Sequence, residues 1–419
     1  MASRVASRAW ATRTRQIGLL ALALGLIGLI ARQPLLALLG VFVALVAVLT
    51  AIWQRYGLLE VRYSRSFSQS RAFPGEELLI DVGVENAKLL PLPWLEVEDE
   101  FPAGLEYAGV TLAISSKPKV KLFRTLFSLK PFERVRRRYR ISCPARGAYM
   151  FGPARLSTGD PFGFASIDTE IELYDTLIVY PRVVPVTAFG LPANQPFGDL
   201  RPLRPLLEDP MRFSGVRPYS PGDLPRHIHW RASARTGALQ TKQFEPGALA
   251  TLALFLDVNT FEHFWEGLDP GRLERAISAT ASLAAHALDE RRQVGLYANA
   301  PIPGRERLVR IAPGRAPAQL ARILEALALL VPYTGNRVEA MIERETRRLP
   351  WGSTIVVVTG HVTSGLEAAL AKLHRSGHAI TLVSFSERPT ELASRPGFAV
   401  YQIGEEVTGG EPLAQLTLA

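Results

Sequence analysis

Apolar positions fall into three regimes along the chain. An unbroken block comes first, then a stretch that alternates, then a stretch in which apolar strands trade places with helical spacing. Between residues 17 and 53 almost every residue is apolar. A charge followed by a proline is poorly tolerated inside a lipid-facing helix, so Arg32-Gln33-Pro34 divides this block into spans 17–31 and 35–53. The pattern predicts an N-terminal transmembrane helical hairpin. At about 1.5 Å per residue the second span covers roughly 29 Å and the first roughly 22 Å, against a hydrocarbon thickness of about 30 Å. The first must therefore snorkel its flanking arginines or thin the bilayer.

From residue 58 to about 181 the period is two. In Leu78-Leu79-Ile80-Asp81-Val82-Gly83-Val84-Glu85, the residues Leu78, Ile80, Val82 and Val84 share one face, while Asp81, Gly83 and Glu85 share the other. Further strands are expected at 94–98, 110–114, 120–129, 135–141 and 177–180, between turns such as Phe73-Pro74-Gly75 and Asp160-Pro161-Phe162-Gly163. This reads as an antiparallel β-sandwich of immunoglobulin-like size. The stretch 183–218 is rich in proline with little periodicity, which reads as a linker that packs on both neighbouring domains. Beyond it, strands are expected at 252–256, 294–298, 355–358 and 380–385, and helices at 270–291, 317–331 and 337–348. A further helix carries Leu366, Ala369, Leu370 and Leu373 on one face. Strands alternating with helices predict an α/β doubly wound, mostly parallel sheet whose ligand sites lie at the carboxyl ends of its strands. The expected segments are a stub with two spans (1–56), a β-domain (57–182), a linker (183–216), an α/β domain (217–404) and a C-terminal tail (405–419).

Charge turns the hairpin into a topology. The chain carries 48 Lys+Arg against 39 Asp+Glu, a net charge of +9. Arg4, Arg8, Arg13 and Arg15 precede the spans and Arg55, Arg62 and Arg65 follow them, while the connecting turn has only Arg32. By the positive-inside rule both termini and the globular domains are expected on the cytoplasmic face of a plasma membrane. The basic start also fits a cleaved signal peptide. Against this, Leu29-Ile30-Ala31 lacks a small residue two positions before a cleavage point, and a full second span follows. The single cysteine, Cys143, excludes a disulfide scaffold and an all-cysteine metal cluster and agrees with a reducing compartment. Away from the block, charged and apolar residues mix normally, which excludes disorder and a polytopic transporter.

The densest chemistry runs from Arg217-Pro218-Tyr219-Ser220-Pro221-Gly222-Asp223 through Arg226-His227-Ile228-His229-Trp230 and Ser233-Ala234-Arg235 to Glu245. Pro221-Gly222 makes a turn that can set Asp223 at a helix N-terminus or against an arginine fork, and Arg217, Arg226 and Arg235 supply forks. Such a cluster either locks the linker onto the α/β domain or docks an anion or a partner. His227 and His229 would share one face of a strand, an arrangement known for zinc pairs, but no third ligand is near, and a strand with Ile228 and Trp230 turned inward is the simpler reading.

The run Arg217, Tyr219, Gly222, Asp223, Arg226, Ile228, Trp230, Ala234, Arg235 and Glu245 resembles the signature of the bacterial membrane proteins carrying domain of unknown function 58. Arg146-Gly147-Ala148-Tyr149, Gly152-Pro153 and Asp160-Pro161-Phe162-Gly163 are similar to that family's β-domain. The resemblance implies a helical hairpin, a β-domain and a von Willebrand factor A-like domain. It also implies association with a MoxR-type AAA+ ATPase and a transglutaminase-like membrane protein. A von Willebrand factor A fold often holds a divalent metal through hard oxygen ligands suited to Mg²⁺. On that pattern Asp257 matches, Asn259 can coordinate through its carbonyl, and Thr334 stands in the threonine position. Phe261 cannot coordinate, and Thr359-Gly360-His361 offers no aspartate, so the expected Mg²⁺ site is degenerate.

Arg134, Arg136, Arg138 and Arg140 line one face of a strand, with Lys117, Lys119 and Lys121 nearby. On a membrane-tethered domain this row is expected to face anionic headgroups rather than nucleic acid. No phosphate-binding loop, nucleophile elbow or His-Glu-x-x-His is present. The expectation is a non-enzymatic, membrane-anchored adaptor without a cofactor. The alternative is an enzyme acting on an envelope component, with its site around Asp223, His229 and Ser233.

Overall fold

The computed structural model describes residues 18–193, 195–198, 208–221, 223–246, 251–304, 307–331, 336–350, 352–386 and 389–404. Arg4, Arg8, Arg13, Arg15 and the tail 405–419 lie outside the described residues. The chain divides into two units, Met1–Val179 and Tyr180–Ala419.

Two apolar helices, Gly18–Ile30 and Pro34–Tyr56, open the first unit, and the second is long and apolar enough to cross a membrane. Pro34 begins it because the first helical residue needs no amide hydrogen. Arg32 takes a left-handed φ of 50°, and Gln33 N donates to Gly28 O, which ends the first helix and reverses the chain. Small residues let the two backbones touch: a Cβ on Gly40 would lie 2.5 Å from the Gly25 amide nitrogen. The outward side chains, among them Leu22, Leu29, Leu38 and Phe42, are exposed.

The β-rich part of this unit forms three sheets. In the four-stranded sheet the order is Val61–Phe67, Glu77–Asn86, Arg134–Ser142, Glu106–Ala108. The five-stranded sheet runs Ser166–Ile171, Ala154–Gly159, Leu92–Pro102, Val120–Leu129, Leu112–Ile114. A small sheet joins Arg71–Ala72, Asp175–Val179 and Gly147–Phe151. Leu78, Ile80, Val82 and Val84 are buried, as alternation required. One correction is that the pairing is not purely antiparallel, since Arg71–Ala72 runs parallel to Asp175–Val179. Strand Val61–Phe67 gave no clear alternating signal because it carries a charge inward.

That charge is Arg65, whose side chain is fully buried with Asp99. Its Nη1 donates to both carboxylate oxygens of Asp99 at 2.8 and 2.7 Å, and its Nε to Asp175 at 2.9 Å. Nη2 reaches the carbonyls of Phe151 and Leu173 at 3.2 and 3.1 Å. Tyr63 also donates to Asp99, and burial followed by the Asp99 charge holds its phenol far above the usual range, so it stays a donor. Arg65 therefore cannot act as one of the topology-setting arginines, because its charge is spent inside the β-unit.

In the second unit a six-stranded sheet has the order Leu308–Gly314, Gln293–Pro301, Thr251–Leu256, Thr354–Thr359, Ala379–Ser384, Phe398–Gln402. All neighbours are parallel except the edge strand Leu308–Gly314, which is antiparallel. Thr251–Leu256 and Thr354–Thr359 are buried throughout, which explains their unbroken apolar runs: helices cover both faces. Pro270–Asp289 packs with Ala318–Leu329, and Val338–Thr346 with Ser364–Arg375. Ala253, Phe255, Ile355 and Val357 face the second pair. Part of the stretch expected to be a linker is bound into this unit, because Val184 N donates to Ser282 Oγ and Thr381 Oγ1 to Phe197 O.

Replacing Arg65 with Met leaves Asp99 buried without a counter-charge, which costs about 3–5 kcal/mol. Chemical denaturation of the detergent-solubilised chain is expected to show this loss at the β-unit, with much of it recovered when Asp99→Leu is added. Arg138→Ala, which breaks the exposed pair with Asp81, is expected to leave the midpoint unchanged.

Candidate functional site

The signature segment folds as a hairpin bearing a short helix. Strand Glu208–Pro218 pairs antiparallel with Gln240–Pro246, so that Arg217 lies opposite Thr241. Asp223 ties the intervening turn to this ladder. Arg217 grips it bidentately at 2.8 and 2.6 Å, Ser220 N donates at 3.0 Å and Thr241 Oγ1 at 3.1 Å. The Arg217 guanidinium, aided by the Ser220 amide, holds the Asp223 carboxyl down at about 2. The folded pKa lies below the unfolded one, so this clamp holds above the ordinary carboxylate range and is lost as pH falls through about 2. Gly222 lies outside the described residues, and Glu245 falls in strand Gln240–Pro246.

His227 and His229 do not share a strand face. Pro225–His227 is a 3₁₀ turn, and His229 is the N-cap of helix Trp230–Thr236, its Nδ1 accepting from Ala232 N at 3.0 Å. Ser233 Oγ donates to the His229 carbonyl at 3.1 Å and accepts from Gln240 N at 2.8 Å. Its proton therefore goes to a main-chain oxygen and not to an imidazole, which is not how a nucleophilic serine is activated. Ile228 is buried, but Trp230, expected beside it, is 68% exposed. Leu224, Arg226, Arg231, Arg235 and Leu239 are exposed as well. The segment thus has a locked backbone and an outward face that is apolar and basic.

The other expected site lies at the carboxyl end of strand Thr251–Leu256. Asp257 is buried there, with Oδ1 accepting from Asn299 Nδ2 at 2.7 Å and Asn259 N at 3.1 Å. Thr359 Oγ1 is 3.1 Å from Oδ2 and 2.7 Å from His361 O. The orientation of Asn299 is fixed by the main chain, since Oδ1 accepts from Val258 N and Nδ2 also donates to Asn336 O. Its amide hydrogens therefore point at Asp257, where a cation would need a lone pair. Thr334 lies outside the described residues. Among the described residues no group of three His, Cys, Asp or Glu could hold a metal, and of the expected Mg²⁺ set only Asp257 and Asn259 are described, with the Asn299 amide and the Thr359 hydroxyl against the Asp257 carboxyl. Asn299 went unread in the sequence, although a lone amide in the apolar run Ala298-Asn299-Ala300 was a usable signal.

Arg134, Arg136, Arg138 and Arg140 are exposed on one face of strand Arg134–Ser142. Arg138 is paired with Asp81 at 2.7 Å.

Burial pushes the Asp257 carboxyl up to about 6, against the opposing hydrogen bonds, and Glu339 adds to the rise. On protonation the bond to Thr359 can reverse, since the Thr359 hydroxyl that donates to Oδ2 also has the His361 carbonyl within reach as an acceptor. Because the folded pKa is raised, the stability this group contributes is full below its unfolded pKa and is lost as pH rises through about 6. Asp257→Asn mimics the protonated acid. In a chelator, melting scans are expected to show the variant above wild type in mildly alkaline buffer and level with it in acid.

Residues 215–395 match the family described as "Protein of unknown function DUF58". The "Uncharacterized protein YeaD" of Bacillus subtilis (strain 168) is 26% identical over 244 residues, which is 58% of this chain and 56% of that protein. The chain thus aligns with little more than half of that relative's length. Among solved structures, the sporulation control protein Spo0M of Bacillus subtilis gives a TM-score of 0.17 at 14% identity, covering 29% of this chain and 49% of that one. A cohesin module from Clostridium perfringens gives 0.21 at 10% identity, covering 28% and 96%. Signature residues Arg217, Tyr219, Asp223, Arg226 and Trp230 all fall inside the segment that matches this domain of unknown function.

Proposed function

We propose that this protein is a non-enzymatic adaptor anchored by two passes in a bacterial plasma membrane, with both ends and both globular units on the cytoplasmic side. In this reading the β-unit is an immunoglobulin-like sandwich and the α/β unit is of von Willebrand factor A type. The segment 217–245 docks a partner protein, a MoxR-type AAA+ ATPase by the resemblance given above, in assembly or maturation of an envelope complex. One observation carries the proposal: Asp223 fixes the backbone of this segment while Trp230 stands in solvent on the same short stretch as exposed Arg226, Arg231 and Arg235. A large exposed aromatic held rigid among arginines is the composition of an interface anchor, because little side-chain entropy is lost when it is covered. The exposed arginines favour a partner with an acidic surface.

A pull-down of the co-expressed ATPase with the full chain tests this. Trp230→Ala and Arg226→Ala are each expected to cost about 2 kcal/mol or more of binding, roughly a thirtyfold loss of affinity, without lowering the melting temperature. Unchanged recovery with both variants would remove the segment from the interface.

A further inference from the structure

The strand registers bring four connections of the β-unit to one end. Val61 pairs with Asn86, Glu85 with Arg134, Leu92 with Leu129, Leu95 with Thr158 and Gly159 with Ser166. The connections 57–60, 87–91, 130–133 and 160–165 therefore form one rim. It is the rim from which helix Pro34–Tyr56 leaves. Trp53 Nε1 donates to Pro91 O at 3.1 Å, and a Cβ on Gly57 would lie 3.1 Å from Ile167 Cδ1 and 3.2 Å from Thr158 Cγ2. The connections are also tied to each other, with Ala87 N donating to Glu60 O at 3.0 Å and Phe132 N to Lys88 O at 3.3 Å.

Every connection in this rim exposes a large apolar side chain: Leu59, Leu89 at 76%, Phe132 at 69%, and both Phe162 and Phe164. The last two are held outward by construction. The buried Asp160 carboxylate accepts from Phe162 N at 2.7 Å and Ala165 N at 2.6 Å, which fixes the turn. A contiguous apolar rim around an apolar helix marks a covered surface. Charges of both signs accompany it, Arg55 and Lys130 with Glu60 and Glu133, so headgroup charge is not what it selects.

We propose that this rim seats in the bilayer surface, with Leu89, Phe132, Phe162 and Phe164 entering the boundary between headgroups and acyl chains around the emerging helix. The inference rests on the reading that Pro34–Tyr56 spans the membrane, and it gives the lipid contact to the rim in place of the arginine row. That row starts at the rim with Arg134 and runs lengthwise to Arg140, about 20 Å away at the usual rise per strand residue. Aromatic and leucine side chains at this depth keep an apolar body in lipid while the turn backbone stays hydrated.

The test uses the full chain in phosphatidylcholine proteoliposomes, on a Cys143→Ala background, with a bimane probe at one introduced cysteine and doxyl-labelled lipid as quencher. Probes at Leu89→Cys and Phe162→Cys are expected to be quenched severalfold more than probes at Ile114→Cys, which is 95% exposed at the far end, or Arg136→Cys. Adding anionic lipid is expected to change this little. Equal quenching at residues 89, 162 and 114 overturns the proposal, and so does preferential quenching at 136. A Leu38→Cys probe separates the two readings: if it reports the acyl core while 89 and 162 report water, only the rim fails. If Leu38 reports water, the spanning helix and the rim fail together.

Discussion

One guanidinium joins the three sheets of the β-unit. Arg65 lies on the four-stranded sheet, Asp99 on the five-stranded one, and Asp175 and Phe151 on the small third sheet. A fully buried ion pair is costly to desolvate and repays that cost only when every donor finds an acceptor. Here Nε, Nη1 and Nη2 all do, and the Phe151 ring lies 5.5 Å from the guanidinium carbon. Any other register of Val61–Phe67 against Glu77–Asn86 would strand the charge or the carboxylates, so the cluster selects one sheet arrangement among several that apolar alternation alone would allow.

The same cluster shows where reading from sequence ended. The α/β unit was legible because strands buried on both faces appear as continuous apolar runs and helices as periodic ones, both local signals. Strand Val120–Leu129 was legible through its alternation of buried and exposed positions, another local signal. Arg65 looked like one more cytoplasmic arginine, because nothing local announces that a charge points inward toward partners 34 and 110 residues away. Edge strand Leu308–Gly314 was missed although Val309 and Ile311 are buried around exposed Arg310, since the run is short and ends in Pro313-Gly314.

At the two sites the residue types were legible but their use was not. Asp223 was expected at a helix N-terminus or against an arginine fork, and it meets the fork of Arg217. His229 and Ser233, which the alternative enzyme reading named, hydrogen-bond to the backbone of one short helix and the strand beside it, through His229 Nδ1 and Ser233 Oγ. Asp257 looked like a metal ligand, yet Asn299 and Thr359 close around it as hydrogen-bond partners. In each case the opposing atom, which sequence does not give, tells how the residue is used in this fold.

Only residues 57–60 separate helix Pro34–Tyr56 from the first strand, and the helix end is held against the β-unit by Trp53 and Gly57. Without a slack tether, helix and β-unit act mechanically as one lever. A pull applied to the β-unit would tilt the helix rather than stretch a loop. In the membrane-anchored reading proposed above, tilt of this helix changes how much of its apolar length matches the bilayer, which would couple load on the β-unit to local membrane thickness.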